Sequence, residues 1–149
     1  QIAAMREANL LDPHAESAVD ADAIAAFFAT DVGRAMRIRR STVRREWNFA
    51  LGLPIREVAG DRWPAAGEQE EEFVLVQGII DVLAEDEDGS LVILDYKTDA
   101  VFDESAVAAR AEGYRHQLDL YARAAEAILG KSVSRRLLYF LRPRRLIEV

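Results

Sequence analysis

The sequence predicts an α/β fold: a mixed central sheet flanked by helices. Three observations carry that expectation. Apolar residues recur at helical spacing near the start of the chain and again, over a longer stretch, from residue 106. Between these stretches lie three runs with the alternating or continuous apolar pattern of strands, and one or two shorter runs close the chain. Helices, three strands, a long helix, then one or two strands is the order of a mixed sheet with helices on both sides.

Residues 2–11 and 20–29 space their alanines and larger apolar residues helically, with Asp12-Pro13 breaking between them. Asp31 is placed to cap a third short helix running to about Arg39. Val43, Trp47, Phe49 and Leu51 alternate with Arg44, Glu46 and Asn48, a half-buried strand that stops near Pro54. From Val58 to Glu72, Gly60, Pro64 and Gly67 stand among charges, which reads as a loop. A hairpin is expected over 73–84 and 90–97. Two closures are open to it. A three-residue loop, residues 87–89 with Gly89 left-handed, sets residue 81 opposite residue 95; a two-residue Asp88-Gly89 loop shifts the pairing by one. Residues 106–129 form the longest helical segment, ended by Gly130, with Gly113 as a potential break near its start. Residues 133–141 read as a fourth strand, and 146–149 are open to forming a short fifth. No internal repeat is visible.

The chain has 149 residues, enough for one domain with a full core and short for two. We expect a single domain over 1–149, with a helical part over 1–40 and a sheet core with the long helix over 41–149. It begins with Gln, as a fragment or processed chain would. No apolar run approaches membrane-spanning length and no signal peptide is seen. Without cysteine there are no disulfides, thiolate zinc sites or iron–sulfur clusters, which agrees with a cytoplasmic home. The net charge of −7 argues against a free-standing nucleic-acid binder, but the charge is uneven. Arg34, Arg37, Arg39, Arg40, Arg44 and Arg45 form one basic cluster, and Arg135, Arg136, Arg142, Arg144 and Arg145 another. Glu68, Glu70, Glu71, Glu72 and the hairpin tip hold much of the negative charge.

The chemistry gathers at the open end of the hairpin. Asp95-Tyr96-Lys97 closes the run Leu91-Val92-Ile93-Leu94, and Asp81 closes another. Side chains alternate along a strand, so Asp95 and Lys97 share a face. In the first register Asp81 joins them. An isolated D-x-K is usually a surface ion pair. Two carboxylates facing each other cost a few tenths to about 1 kcal/mol unless a cation lies between them. Oxygen ligands suit Mg²⁺ or Mn²⁺ rather than zinc. Lys97 would then neutralise charge on a scissile phosphate or position the attacking water, and the Tyr96 carbonyl is placed to be a ligand. Lys97 and Lys131 are the only lysines. Gly78 marks a bulge or a close backbone approach. Gln117 and Tyr121, at i and i+4 on the long helix with Tyr114 near, could present polar tips to this group or could be ordinary core-facing residues. Glu46 points away from Trp47 and Phe49 if its strand is regular, as a site residue or a solvent-facing one. His14 and His116 read as structural or surface residues.

Three segments in this order, Gln77-Gly78-Ile79-Ile80-Asp81, Asp95-Tyr96-Lys97-Thr98-Asp99 and Gln117-Leu118-Asp119-Leu120-Tyr121, resemble the motifs of RecB-type nucleases of the PD-(D/E)xK superfamily. Glu46-Trp47-Asn48-Phe49 and the stretch from Tyr121 through Lys131 are similar to the C-terminal nuclease domains of AddA-type subunits of bacterial helicase–nucleases. The resemblance covers most of the chain. It implies a restriction-endonuclease-like αβββαβ core and Mg²⁺- or Mn²⁺-dependent deoxyribonuclease activity, with exonuclease cutting expected. The parent chain it implies is bacterial, cytoplasmic and ATP-driven. That chain would process double-strand breaks for recombination, with single-stranded DNA delivered by its helicase and an AddB-type partner subunit. It carries Asp81 and Asp95 over as metal ligands, Lys97 as catalytic lysine, Gln117 and Tyr121 as supporting residues, and Glu46 less firmly. The family's metal-binding His on a preceding helix has no match, so the chain is expected to begin after it and to lack one ligand. The absence of cysteines favours the helicase-bearing subunit over its partner. Two other readings stand beside this one: a nuclease-like module without activity, used for assembly or DNA guidance, and a stand-alone restriction-type or CRISPR-associated nuclease.

Overall fold

The computed structural model describes residues 2–10, 12, 14, 19–55 and 72–149. The expected loop of 58–72, apart from Glu72, lies outside the described residues, as do Pro13 of the expected break and Glu68, Glu70 and Glu71. The chain divides into two compact units, Gln1–Ile38 and Arg39–Val149.

The first unit is helical. It contains α1 (Ile2–Glu7), α2 (Ala21–Phe28) and α3 (Asp31–Ile38). Asp20 starts α2 by accepting the Ala23 N–H at 2.8 Å. Asp31 opens α3 but does not cap it. Thr30 does so, its hydroxyl accepting the Gly33 N–H at 3.0 Å while donating to the Phe27 carbonyl at 2.7 Å.

The second unit is a five-stranded mixed sheet with one long helix. Its strands are β1 (Arg44–Pro54), β2 (Phe73–Glu85), β3 (Leu91–Lys97), β4 (Val133–Phe140) and β5 (Arg145–Glu148), and α4 spans Glu104–Leu129. They lie in sequence order across the sheet. Only β3 and β4 are parallel, and a parallel pair needs the crossover that α4 supplies. Asp103 caps α4 at its start, accepting the Ala106 N–H at 2.8 Å, and Gly130, at φ 64°, ends it. The helix runs unbroken through Gly113, where an added Cβ would meet nothing within 4 Å. Val107, Ala111, Leu118, Ala122 and Ala125 of α4 pack on Ile80, Leu83, Ile93, Leu138 and Phe140 of the sheet. This face forms the main core. No helix among the described residues is long and apolar enough to cross a membrane.

The β2–β3 turn adopts the three-residue closure. The Asp86 N–H donates to the Ser90 carbonyl at 2.8 Å, and Gly89 takes φ 83°. Glycine is needed there because a side chain at that φ is strained. Val82 then pairs with Leu94 and Leu83 with Ile93, which brings Asp81 across from Asp95.

Candidate active site

Asp95 belongs to the α4 side of the sheet, in step with the core residues Leu91 and Ile93. It is 4% exposed, one of two polar residues buried among those described. Lys97, two residues on, faces the same way and sets its ammonium 2.5 Å from Asp95 Oδ2. That ammonium is the one polar group against Oδ2, which is otherwise buried without a hydrogen-bond donor. Burial pushes the Asp95 carboxyl above the usual range. The Lys97 charge opposes that rise and the Asp81 charge adds to it.

Asp81 arrives on this face through a local reversal of β2. Ile80 and Leu83, three residues apart, both enter the α4-side core, which regular alternation forbids. The β1–β2 pairing keeps its register on either side, with Arg45 opposite Val82 and Trp47 opposite Ile80, so no residue is inserted. The residue across from Asp81 is Glu46, and it takes φ 49°, a conformation that non-glycine residues adopt at a cost. Strained backbone thus sits at the point where β2 turns a carboxylate inward. The condition under which Glu46 was expected to point away from Trp47, a regular strand, does not hold. Its backbone neighbours Asp81, while its side chain is exposed and pairs with none of the other candidate residues.

The Asp81 carboxylate closes the gap between the strands, its Oδ2 accepting the Tyr96 N–H at 2.8 Å. A strand residue's N–H and C=O leave along the same edge, so the Tyr96 carbonyl also faces β2. The Tyr96 ring lies on the other face, 6.4 Å from Tyr139, where burial first and the Asp81 charge second push its hydroxyl up to about 12.

From α4, Gln117 Oε1 accepts from the Lys97 ammonium at 3.2 Å, and Gln117 Nε2 donates to the Tyr121 hydroxyl at 2.7 Å. Tyr121 packs edge-on against Phe49, ring centroids 5.5 Å apart. Gly78 makes this possible by close approach rather than by a bulge. A Cβ there would lie 2.8 Å from the Phe49 ring and 3.0 Å from Tyr121. The structure therefore brings together Asp81, Asp95, Lys97, Gln117 and Tyr121, with Glu46 beside them only through its backbone.

Tyr114 enters the sequence reading only as a neighbour of that helix face. In the structure the Lys97 ammonium lies 3.8 Å from the centre of its ring, a cation–π contact. Its hydroxyl lies 3.0 Å from Asp99, which also pairs with Arg110 at 2.6 Å. Burial alone would raise the Asp99 carboxyl, but Arg110 and Tyr114 hold it below the usual range. The signal was available: Tyr114, Gln117 and Tyr121 recur at i, i+3 and i+7 on one helical face.

Two facing carboxylates, one with a buried oxygen touched only by the Lys97 ammonium, fit a small hard cation. The set is short, since no group of three His, Cys, Asp or Glu among the described residues could hold a metal ion. His14 and His116 are both exposed.

Comparison with known proteins agrees with this geometry. The sequence profile of the PD-(D/E)XK nuclease superfamily matches residues 3–148. An ATP-dependent helicase/nuclease subunit of Desulforudis audaxviator is 43% identical over 141 residues, 95% of this chain and 11% of that protein. Its counterpart in Pelotomaculum thermopropionicum is 41% identical over 144 residues, 96% of this chain and 11% of that protein. That of Moorella thermoacetica is 40% identical over 143 residues, 92% of this chain and 9% of that protein. The chain spans about a tenth of the length of these relatives.

Proposed function

Because the chain belongs to the PD-(D/E)XK nuclease superfamily, we propose that it is the nuclease domain of a helicase–nuclease, cutting DNA with Mg²⁺ or Mn²⁺ during double-strand-break processing for recombination. The observation that carries the reading is the buried Asp95 carboxylate across the strands from Asp81, its Oδ2 touched only by the Lys97 ammonium. Such a group is costly to build and pointless for stability. In this reading Asp81 and Asp95 hold the cation, with the Tyr96 carbonyl beside them. A divalent cation held there would supply a water of lowered pKa and charge to offset a developing oxyanion.

Lys97 does the remaining electrostatic work. Its ammonium has three N–H groups. Asp95, Gln117 and the Tyr114 ring surround it, which fixes its charge beside the two carboxylates, where it would neutralise a phosphate oxygen or position the attacking water. Gln117 is itself held by Tyr121, so the amine's position is set by a chain of contacts that ends in the Phe49 ring. The helicase motor of the longer protein would deliver single-stranded DNA, and an AddB-type protein would be its partner. An acidic domain can then act on DNA because the motor supplies the strand.

The test is to change Asp95→Ala or Lys97→Ala in the longer protein. Cutting is expected to fall by at least about 100-fold, the loss typical of removing one oxyanion-stabilising group, while unwinding continues. Full cutting by either variant overturns the role assignments. A second reading is an inactive nuclease-like module for assembly of the complex or DNA guidance, favoured by the shortage of metal-ligating groups among the described residues. Failure of the longer protein to bind Mn²⁺ or Mg²⁺ would favour it.

A further inference from the structure

The second arginine cluster divides in two once its ion pairs are laid out. Arg135 pairs with Glu148 at 2.8 Å, and Arg136 pairs with Asp119. Arg142 and Arg145 are exposed, and neither pairs with a carboxylate among the described residues. Both sit at the β4–β5 turn. That turn is tied to the candidate site, because the Leu141 N–H donates to the Lys97 carbonyl at 2.9 Å.

Register fixes the geometry further. Lys97 pairs with Phe140 across β3–β4, and Phe140 pairs with Arg145 across β4–β5. Directly paired residues share a face. Lys97 faces α4 through Tyr114 and Gln117, and Phe140 lies in the α4-side core. Ile147 and Val149, two and four residues beyond Arg145, pack against the same core. Arg145 therefore stands on the Lys97 face, in one row with it. Two strand spacings of about 4.8 Å separate their backbones by about 10 Å. A single nucleic-acid strand crosses that distance within a few nucleotides, so two of its phosphates can reach both side chains.

We propose that Arg145, with Arg142 beside it in the turn, binds a backbone phosphate of the single strand within a few nucleotides of the one held at Lys97. The inference deepens the nuclease reading and rests on it for the place of the scissile phosphate. Guanidinium is suited to the task, since its planar fork matches phosphate and stays charged. Two other exposed arginines of the sheet unit do not meet the same conditions: Arg45 lies on the Tyr96 face and Arg44 near the hairpin turn.

The experiment measures anisotropy of a fluorescein-labelled single-stranded oligodeoxynucleotide in EDTA, so that binding is read without cutting. The full-length protein is compared with its R142A/R145A, R142K/R145K and R135A variants over a range of KCl. R142A/R145A is expected to weaken binding by about fivefold to twentyfold and to flatten the plot of log Kd against log salt by about one to two. R142K/R145K should recover much of the loss, and R135A should bind as the parent does. An unchanged affinity and salt slope in R142A/R145A overturns the proposal, as does an equal loss in R135A. Cutting is assayed separately: a protein that binds as expected but fails to cut whichever divalent cation is supplied sinks the nuclease reading and leaves the phosphate contact standing.

Discussion

At its turn, the β2–β3 hairpin holds Asp86 and Asp88 below the ordinary carboxylate range; at its open end it pushes Asp95 above it. The same two strands carry acid at both ends, and the difference lies in what each carboxylate is given. Asp86 accepts the Glu87 N–H at 2.8 Å and pairs with Arg39 at 2.6 Å. Asp88 accepts from the Ser90 hydroxyl and from its N–H. Asp95 is instead buried, with a facing carboxylate and one lysine, whose ammonium alone touches its Oδ2. The turn uses charge to fix a register. The open end sets two facing carboxylates against a single lysine, and such a group marks a functional site more reliably than acidity does.

The largest effect on this contrast is expected from Gly78→Ala. The new Cβ would press on Phe49 and Tyr121, with nowhere for either ring to go without moving the other. Overpacking of this kind costs about 1–3 kcal/mol. Denaturant unfolding should show that loss. Cutting should fall more than stability does, because Tyr121 holds Gln117 and Gln117 holds Lys97.

At the turn, Gly89→Ala should cost about 1 kcal/mol, since the residue sits at φ 83°. An added Cβ would meet only Glu85 Oε1, at 3.8 Å, so the loss comes from backbone strain alone. Urea denaturation would measure it, and DNA cutting by the folded fraction should stay at the parent level. A loss of cutting there would mean that the two ends of the hairpin are coupled.

Acid separates the ends more gently. Asp86 and Asp88 ionise more readily in the folded protein than in the unfolded chain. Their contribution is present above the ordinary Asp value of about 3.9 and is lost as pH falls through their lower folded values. Asp95, raised, runs the opposite way, its contribution being lost as pH rises through its folded value. Carboxyl titration by NMR should find Asp86 and Asp88 on the acid side of the reference and Asp95 on the other. Convergence of all three on the reference value would remove the contrast.

Much of this hairpin is legible in the sequence. Asp-Gly at the tip restricts the closure to two forms, and the three-residue form alone sets Asp81 against Asp95. Gly130 announces the end of α4, and the strand pattern places all five strands within about two residues of their observed ends. Other features depend on contacts that no spacing rule contains. Thr30 rather than Asp31 caps α3 because the chain's approach angle decides which oxygen reaches Gly33. Glycine within a helix raises the prospect of a break, yet Gly113 is simply exposed and α4 carries on around it. The reversal at Glu46 and Asp81 is invisible to a two-residue period, which assumes the regularity that fails there. Tyr114 looks like a core aromatic until Lys97 is seen over its ring.

The most direct test is calorimetric titration of Mn²⁺ into this chain and into its Asp81→Asn variant, with urea unfolding of both in EDTA. Asn at 81 can still accept the Tyr96 N–H but removes the charge facing Asp95. We predict that the parent binds the ion saturably, and that the variant does not bind it while matching or exceeding the parent's metal-free stability by up to about 1 kcal/mol. Equal Mn²⁺ binding by parent and variant would contradict the account, because the paired carboxylates would then have no part in holding a cation.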